Sequence, residues 1–224
     1  MPMTLEQMEA ELMKLREQVA DGQHAIDILE IWKIQSLYSH YYHIGMREQI
    51  PLLFARKTPG VTMEIEDSGV YDNLTSITRF WNTVFSRKAH LTAGFMAVHM
   101  TVNPVIELNK DRTRAKALWH SHGFATLRLG QLTPFLCLGK YDMEYVKEDG
   151  QWKILKFVYR QTFMSPLDKG WVEAPSVGSI AGSPDNQPDR PTTYHMPYSP
   201  YRINVMQPPP PEPYQDQTSQ TTLI

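Results

Sequence analysis

Tyrosine and histidine gather in this chain in patterns that suit proton transfer. The run Leu37-Tyr38-Ser39-His40-Tyr41-Tyr42-His43 holds three phenols and two imidazoles. Imidazole titrates near neutrality, and a phenol can polarise a carbonyl or hold a water, so the pair suits acid/base chemistry. On a helix, Tyr38 and Tyr42 share a face at four-residue spacing, with His43 displaced by roughly 140° from Tyr38. Aromatics so placed also serve as packing, and both readings stand. His99 lies between apolar neighbours in Ala97-Val98-His99-Met100-Thr101-Val102, a strand-like run. His120 and His122 fall on one strand face, with Trp119 and Ser121 on the other. A metal would need a third ligand beside that histidine pair; no carboxylate or thiol is suitably spaced, so no metal is expected. The chain has no glycine-rich phosphate loop, no G-x-S-x-G elbow and no H-E-x-x-H helix.

These side chains need elements to position them. Thr4 and Gln7 stand at capping-box spacing before Leu5, Met8, Leu12, Leu15 and Val19, which recur in steps of three and four: a helix with one narrow apolar stripe. Asp21-Gly22 predicts an interruption, and a second helix is expected from about 24 to 43, stopping near Gly45. Pro51 suits the first turn of a short third helix through Leu52, Leu53 and Phe54. Alternation then takes over at Val61, Met63 and Ile65, a strand ending in Asp67-Ser68-Gly69. A helix over about 75–87 carries Ile77, Phe80, Trp81 and Val84 on one face. Four strands follow, near 92–108, 113–129, 134–147 and 151–163, separated by Asn109-Lys110-Asp111, Gly130-Gln131 and Glu148-Asp149-Gly150. Helices first and a meander afterwards predict an α+β fold, with helices packed on one face of a bent sheet.

Composition narrows the function. A formal charge of −2 over 224 residues gives no basic stripe for nucleic acid. The lone cysteine, Cys137, excludes an internal disulfide and reads as a buried core residue. No run of about 18 apolar residues suggests a membrane span, and the amphipathic opening is unlike a signal peptide, so a cytoplasmic protein is expected. Beyond Met164 lie 12 of the 17 prolines. Tyr194, Tyr198, Tyr201, Ile203, Val205 and Met206 predict an ordered arm, lying over its own domain or a neighbour's. Disorder is expected past Pro211. The expected organisation is an N-terminal helical extension over 1–23, a catalytic domain over 24–164, an arm over 165–206 and a Pro-rich tail over 207–224.

The run 37–43 followed by Leu52-Leu53-Phe54-Ala55, then Gly69-Val70-Tyr71, Ile77 and Phe80, resembles the first half of SnoaL-like domains. His99 with Asn103-Pro104-Val105-Ile106, Ala115 and Ala117, Gly139-Lys140-Tyr141, and Asp149-Gly150-Gln151-Trp152-Lys153-Ile154 continue the likeness to about residue 164. The family belongs to the nuclear-transport-factor-two-like superfamily, and the resemblance implies a cone-shaped, strongly curved mixed or antiparallel sheet wrapped by N-terminal helices. Members include scytalone dehydratase, bile-acid 7α-dehydratase and cofactorless diarylpropane lyases. By resemblance, Tyr38 corresponds to a pocket tyrosine and His99 to a general base or acid. His43 stands where the bile-acid enzyme has an aspartate, and a neutral ring cannot supply that fixed charge. His122 falls near a second polar pocket position. The resemblance also implies that the arm closes the pocket, through Trp171, Tyr194 and Tyr201.

The implied activity is a cofactor-independent lyase that eliminates water, or a carbonyl fragment such as formaldehyde, from a small aromatic or polycyclic substrate. Trp81, Phe95, Trp119 and Tyr141 are candidates for a flat apolar slot, with Arg160 or Lys156 at its rim. A homo-oligomer, a trimer before a dimer, is expected through the uncovered sheet face. A non-catalytic binding or assembly module, or the small subunit of an aromatic-ring dioxygenase, shares this fold and stays open as an alternative.

Overall fold

A computed structural model describes residues 3–66, 68–83, 92–175, 186–193, 196–205 and 207–214. Thr4 and Gln7 form the capping box reciprocally, and from it helix α1 runs without a break over Leu5–His43. The interruption expected at Asp21-Gly22 does not occur. Glycine in a helix interior costs only about 1 kcal/mol relative to alanine. Anchors on both sides of Gly22 oppose that: Arg112 Nη1 donates to the Ala20 carbonyl, and the buried Asp27 carboxylate accepts from Lys147 and from Trp152 Nε1 at 3.0 Å. Burial raises the Asp27 pKa, but these donors and Arg112 outweigh it and leave the pKa below the ordinary value.

A 3-10 helix over Arg47–Leu53 carries Pro51 and leads to β1 (Thr62–Ile65), β2 (Gly69–Tyr71) and α2 (Leu74–Thr83). Val84 to Arg87, expected at the end of that helix, lie outside the described residues. Then come β3 (Met96–Leu108), β4 (Arg114–Leu129), β5 (Gln131–Glu148), β6 (Gln151–Pro166) and the single turn α3 (Gly170–Glu173). The fold is α+β. The six strands form one open sheet in the order β2-β1-β6-β5-β4-β3, with only the β1–β6 pair parallel. Register shifts at Val102/Val105, Leu138/Gly139 and Glu144/Tyr145 bend the long strands, because an unmatched residue increases local twist.

Helices α1 and α2 pack on the concave side of this sheet. Ile31, Tyr38, Ile77, Trp81, Trp119, Tyr141, Tyr145 and Phe157 form one buried cluster there. Pleating decides which side each β4 residue serves: Ala115, Ala117, Trp119 and Ser121 are buried, whereas His120 and His122 are exposed on the convex side.

The described parts of the C-terminal arm lie over the chain's own domain. Val70 and Arg190 form a bridge along the sheet edge at β2, Tyr198 N donates to the Thr162 carbonyl at 2.6 Å, and Lys140 Nζ donates to the Pro208 carbonyl at 3.0 Å. Glu64, buried on β1, accepts from Thr192 Oγ1, Thr193 N and Thr193 Oγ1 at 2.6–2.8 Å. The arm therefore straps the sheet edge and convex face. Tyr194, Met206 and the end of the tail beyond residue 214 lie outside the described residues.

Candidate functional site

Between α1, α2 and the bent sheet lies a cavity of about 60 Å³, lined by residues of all three. Its deep wall is aromatic. The Tyr38 ring stands edge-on to Phe157, Tyr141 and Trp81 at centroid distances of 4.9, 5.4 and 5.9 Å. Tyr42 meets the His99 ring at 4.9 Å, and Tyr159 lies 5.7 Å from His99 and 4.7 Å from Tyr141. Two glycines make this packing possible. A Cβ at Gly139 would come within 2.7 Å of the Tyr159 ring, and one at Gly123, paired with His99, would crowd the Val98 carbonyl at 3.0 Å.

The polar atoms of this wall divide into satisfied and unsatisfied ones. The Tyr38 and Tyr141 hydroxyls hydrogen-bond each other at 3.0 Å. In contrast, His99 Nδ1, Tyr159 Oη and Trp81 Nε1 are buried without a hydrogen-bond partner among the described residues. Leaving such atoms bare costs roughly 1–3 kcal/mol each, and all three belong to residues that line the cavity. Burial, then His43 and Arg47, depress the His99 imidazole to about 4. Burial first, with neighbouring groups, drives the Tyr38, Tyr141 and Tyr159 hydroxyls well above their ordinary value. At neutral pH the site therefore presents an uncharged imidazole and protonated phenols. Cys137 lines the cavity, but burial and Glu66 push its thiol up to about 12, which leaves it unreactive.

His43 occupies a supporting position. The His99 main-chain N–H donates to His43 Nε2 at 2.8 Å, and Ser39 Oγ donates to the His99 carbonyl at 2.6 Å. Ser39 and His43, one helical turn apart on α1, thus grip the backbone of β3 at His99.

Of the residues nominated from sequence, Tyr38, Trp81, His99 and Tyr141 meet in the cavity. His122 does not: strand parity turns it outward, away from His99. Trp119 is wholly buried behind the wall, edge-on to Trp32 at 5.8 Å, and Phe95 packs half-buried against the core. Arg160 and Lys156 are also on the convex side, ion-paired with Asp142 and Glu144 respectively. The arm expected to close the pocket contributes no described residue to it.

Sequence reasoning missed Tyr159, Glu66 and Arg47. The alternation Phe157, Tyr159, Gln161 against Lys156, Val158, Arg160 was a legible signal for the first. Glu66 reaches the cavity from a residue with φ +47, and Arg47 is buried with its guanidinium 4.4 Å over the Tyr42 ring; periodicity encodes neither. Among the described residues, no group of three or more His, Cys, Asp or Glu side chains is placed to share a metal ion, and no helix is long and apolar enough to cross a membrane.

An open, bent sheet closed over by helices around an aromatic cavity is the architecture of the nuclear-transport-factor-two-like superfamily. The SnoaL-like domain family matches residues 23–158, well over half the chain, and the protein belongs to that family. Among solved structures, a candidate scytalone dehydratase from Novosphingobium aromaticivorans superposes with a TM-score of 0.54 at 16% identity, covering 71% of this chain and 98% of that one. Hexachlorocyclohexane dehydrochlorinase LinA-type3 from Novosphingobium barchaimii gives 0.55 at 18% identity, covering 66% and 94%. Rv3472 from Mycobacterium tuberculosis, a protein of unknown function, gives 0.52 at 18%, covering 74% and 85%. These likenesses establish the fold. No curated protein matches the sequence.

Proposed function

We propose that this chain is a cofactor-independent lyase acting on a small aromatic or polycyclic substrate. The observation that carries the reading is the meeting of the His99 imidazole with the Tyr38, Tyr141 and Tyr159 phenols and Trp81 around one aromatic cavity. Two of the solved relatives bear names of elimination enzymes, a dehydratase and a dehydrochlorinase, which agrees with this chemistry.

The substrate ring lies against Tyr38, Tyr141 and Trp81. Neutral His99 uses the lone pair of its unprotonated ring nitrogen to remove a proton from the substrate. In a dehydration that proton comes from carbon; its electron pair forms the new double bond, and the hydroxyl leaves as water with a proton from Tyr159. The imidazolium then returns a proton to Tyr159, which restores both groups. In carbon–carbon cleavage the proton comes from a hydroxyl, and the broken bond's electrons collect on an oxygen held by Tyr159. A base with a pKa near 4 is weak, but developing charge on that oxygen stabilises the imidazolium beside it. Tyr38 supports the wall through its bond to Tyr141.

A panel of β-hydroxy aryl ketones tests the reaction, because elimination gives a conjugated product followed by its ultraviolet absorbance, and released formaldehyde is assayed in parallel. Turnover lost in His99→Gln, with the fold intact by circular dichroism, supports the assignment. A His99→Gln protein that turns over at the unaltered rate overturns it.

A further inference from the structure

The apolar residues of α1 form two stripes, and the domain covers only one. Asp27, Ile31, Gln35, Tyr38 and Tyr42 are the buried side, packed towards the sheet. A second series, Leu5, Met8, Leu12, Leu15 and Val19, then Gly22, Ile26 and Leu29, follows strict alternating steps of three and four over 25 residues. At roughly 100° per residue its centre lies about 130° round the helix from Ile31 and Tyr38, so the sheet that buries one stripe cannot reach the other. Each large side chain in it is bare: Leu5 is 70% exposed, Val19 71% and Leu29 65%. Residues 3–19 are exposed throughout. A free helix of about 12–15 residues is marginal in water, so the four projecting turns before Ala20 need a partner surface.

We infer that residues 5–29 of α1 pair with the same segment of a second copy of this chain in a parallel coiled coil. A seam confined to positions a and d is the coiled-coil pattern, narrower than the stripe a globular helix buries. With Leu5 at a, Glu11 occupies g and Arg16 the following e. In a parallel pair these positions face each other across the seam, so Glu11 of each copy meets Arg16 of the other. The same segment carries six acidic residues (Glu6, Glu9, Glu11, Glu17, Asp21, Asp27) against two basic ones (Lys14, Arg16), a balance that disfavours an anionic membrane surface. The convex sheet face, where association was expected, is strapped by the chain's own arm near Thr162, Lys140 and Lys116. This inference is independent of the lyase reading.

The test uses the full chain. Light scattering after size exclusion is expected to give an oligomer for the unaltered protein and a monomer for Leu12→Glu with Leu15→Glu, a twofold or greater fall in mass with the sheet's circular dichroism kept. Met8→Cys, at a d position, is expected to form an interchain disulfide under mild oxidation, since in a parallel pair each Met8 faces its own copy. Cys137 is buried, so it does not compete. A monomeric native protein, with or without binding to phosphatidylglycerol vesicles, overturns the inference. So does an oligomer that survives both glutamates, or a Met8→Cys protein that fails to cross-link.

Discussion

His43 meets His99 through its main chain: the His99 N–H donates to His43 Nε2 at 2.8 Å, and the two rings do not pair. One histidine thereby fixes where the other stands. The same Nε2 lies 3.0 Å from the His99 carbonyl, to which a protonated ring can donate, so His43 can hold this strand in either state. Burial lowers the pKa of both rings, His99 to about 4. Groups whose pKa falls on folding favour the neutral form, so their stabilisation is complete above the ordinary histidine value and is lost as pH drops. For His99 the loss runs from about pH 6.5 to about 4 and amounts to about 3 kcal/mol. Urea denaturation at pH 7.5 and 5.0 is expected to show the decline, and His99→Gln to flatten it; an equal slope in both proteins contradicts the burial argument.

The same depression sets the acid limb of catalysis. Activity measured as kcat/KM is expected to hold down to about pH 5 and to fall towards pH 4, because the base stays unprotonated until then. A limb centred on pH 6.5 would mean that a solvated histidine is the base.

Tyr159 and Tyr38 are expected to separate cleanly under mutation. Tyr159→Phe removes a hydroxyl with no partner among the described residues, so stability should change by less than about 1 kcal/mol while kcat falls roughly 10²-fold or more. Tyr38→Phe leaves the buried Tyr141 hydroxyl without its 3.0 Å partner; it should cost about 1–2 kcal/mol of stability with a smaller loss of rate. Reversed rankings would assign the oxygen-binding role to Tyr38.

Much of this arrangement was legible in the chain. Strand limits followed turn chemistry, and the pleat rule correctly set Trp119 and Ser121 opposite His120 and His122. What local pattern left open was which side faced the helices, and that depends on packing between elements distant in sequence. Gly22 misled for a related reason: its intrinsic cost is small beside the tertiary anchors at Ala20 and Asp27, neither of which a local window contains. Glu66 and Arg47 reach their places through loop geometry and burial against Tyr42, again without periodicity to announce them.

Asp27 is expected to be the costliest polar side chain on α1 to remove. It lies wholly buried with Lys147 and Trp152 bonded to it, so Asp27→Ala strands a half-buried ammonium and a buried indole N–H. Breaking such a pair from one side costs about 3–5 kcal/mol. Equilibrium unfolding in urea measures it; a loss under about 1 kcal/mol would mean that water replaces the carboxylate freely.

The arm's strap at Glu64 bears on whether it acts as a lid. Thr193 supplies two donors to that buried carboxylate, one from its hydroxyl at 2.7 Å, beside the Thr192 hydroxyl. Hydrogen bonds to a charged group contribute about 1.5–3 kcal/mol, so Thr193→Val should loosen residues 186–193 and speed their cleavage in limited proteolysis. Affinity for a flat aromatic probe such as 2-naphthol should nevertheless stay within about twofold, because no described arm residue lines the cavity and a twofold change is only about 0.4 kcal/mol. A tenfold loss of naphthol affinity, with the arm loosened and the sheet intact, would instead make the strap part of the binding site.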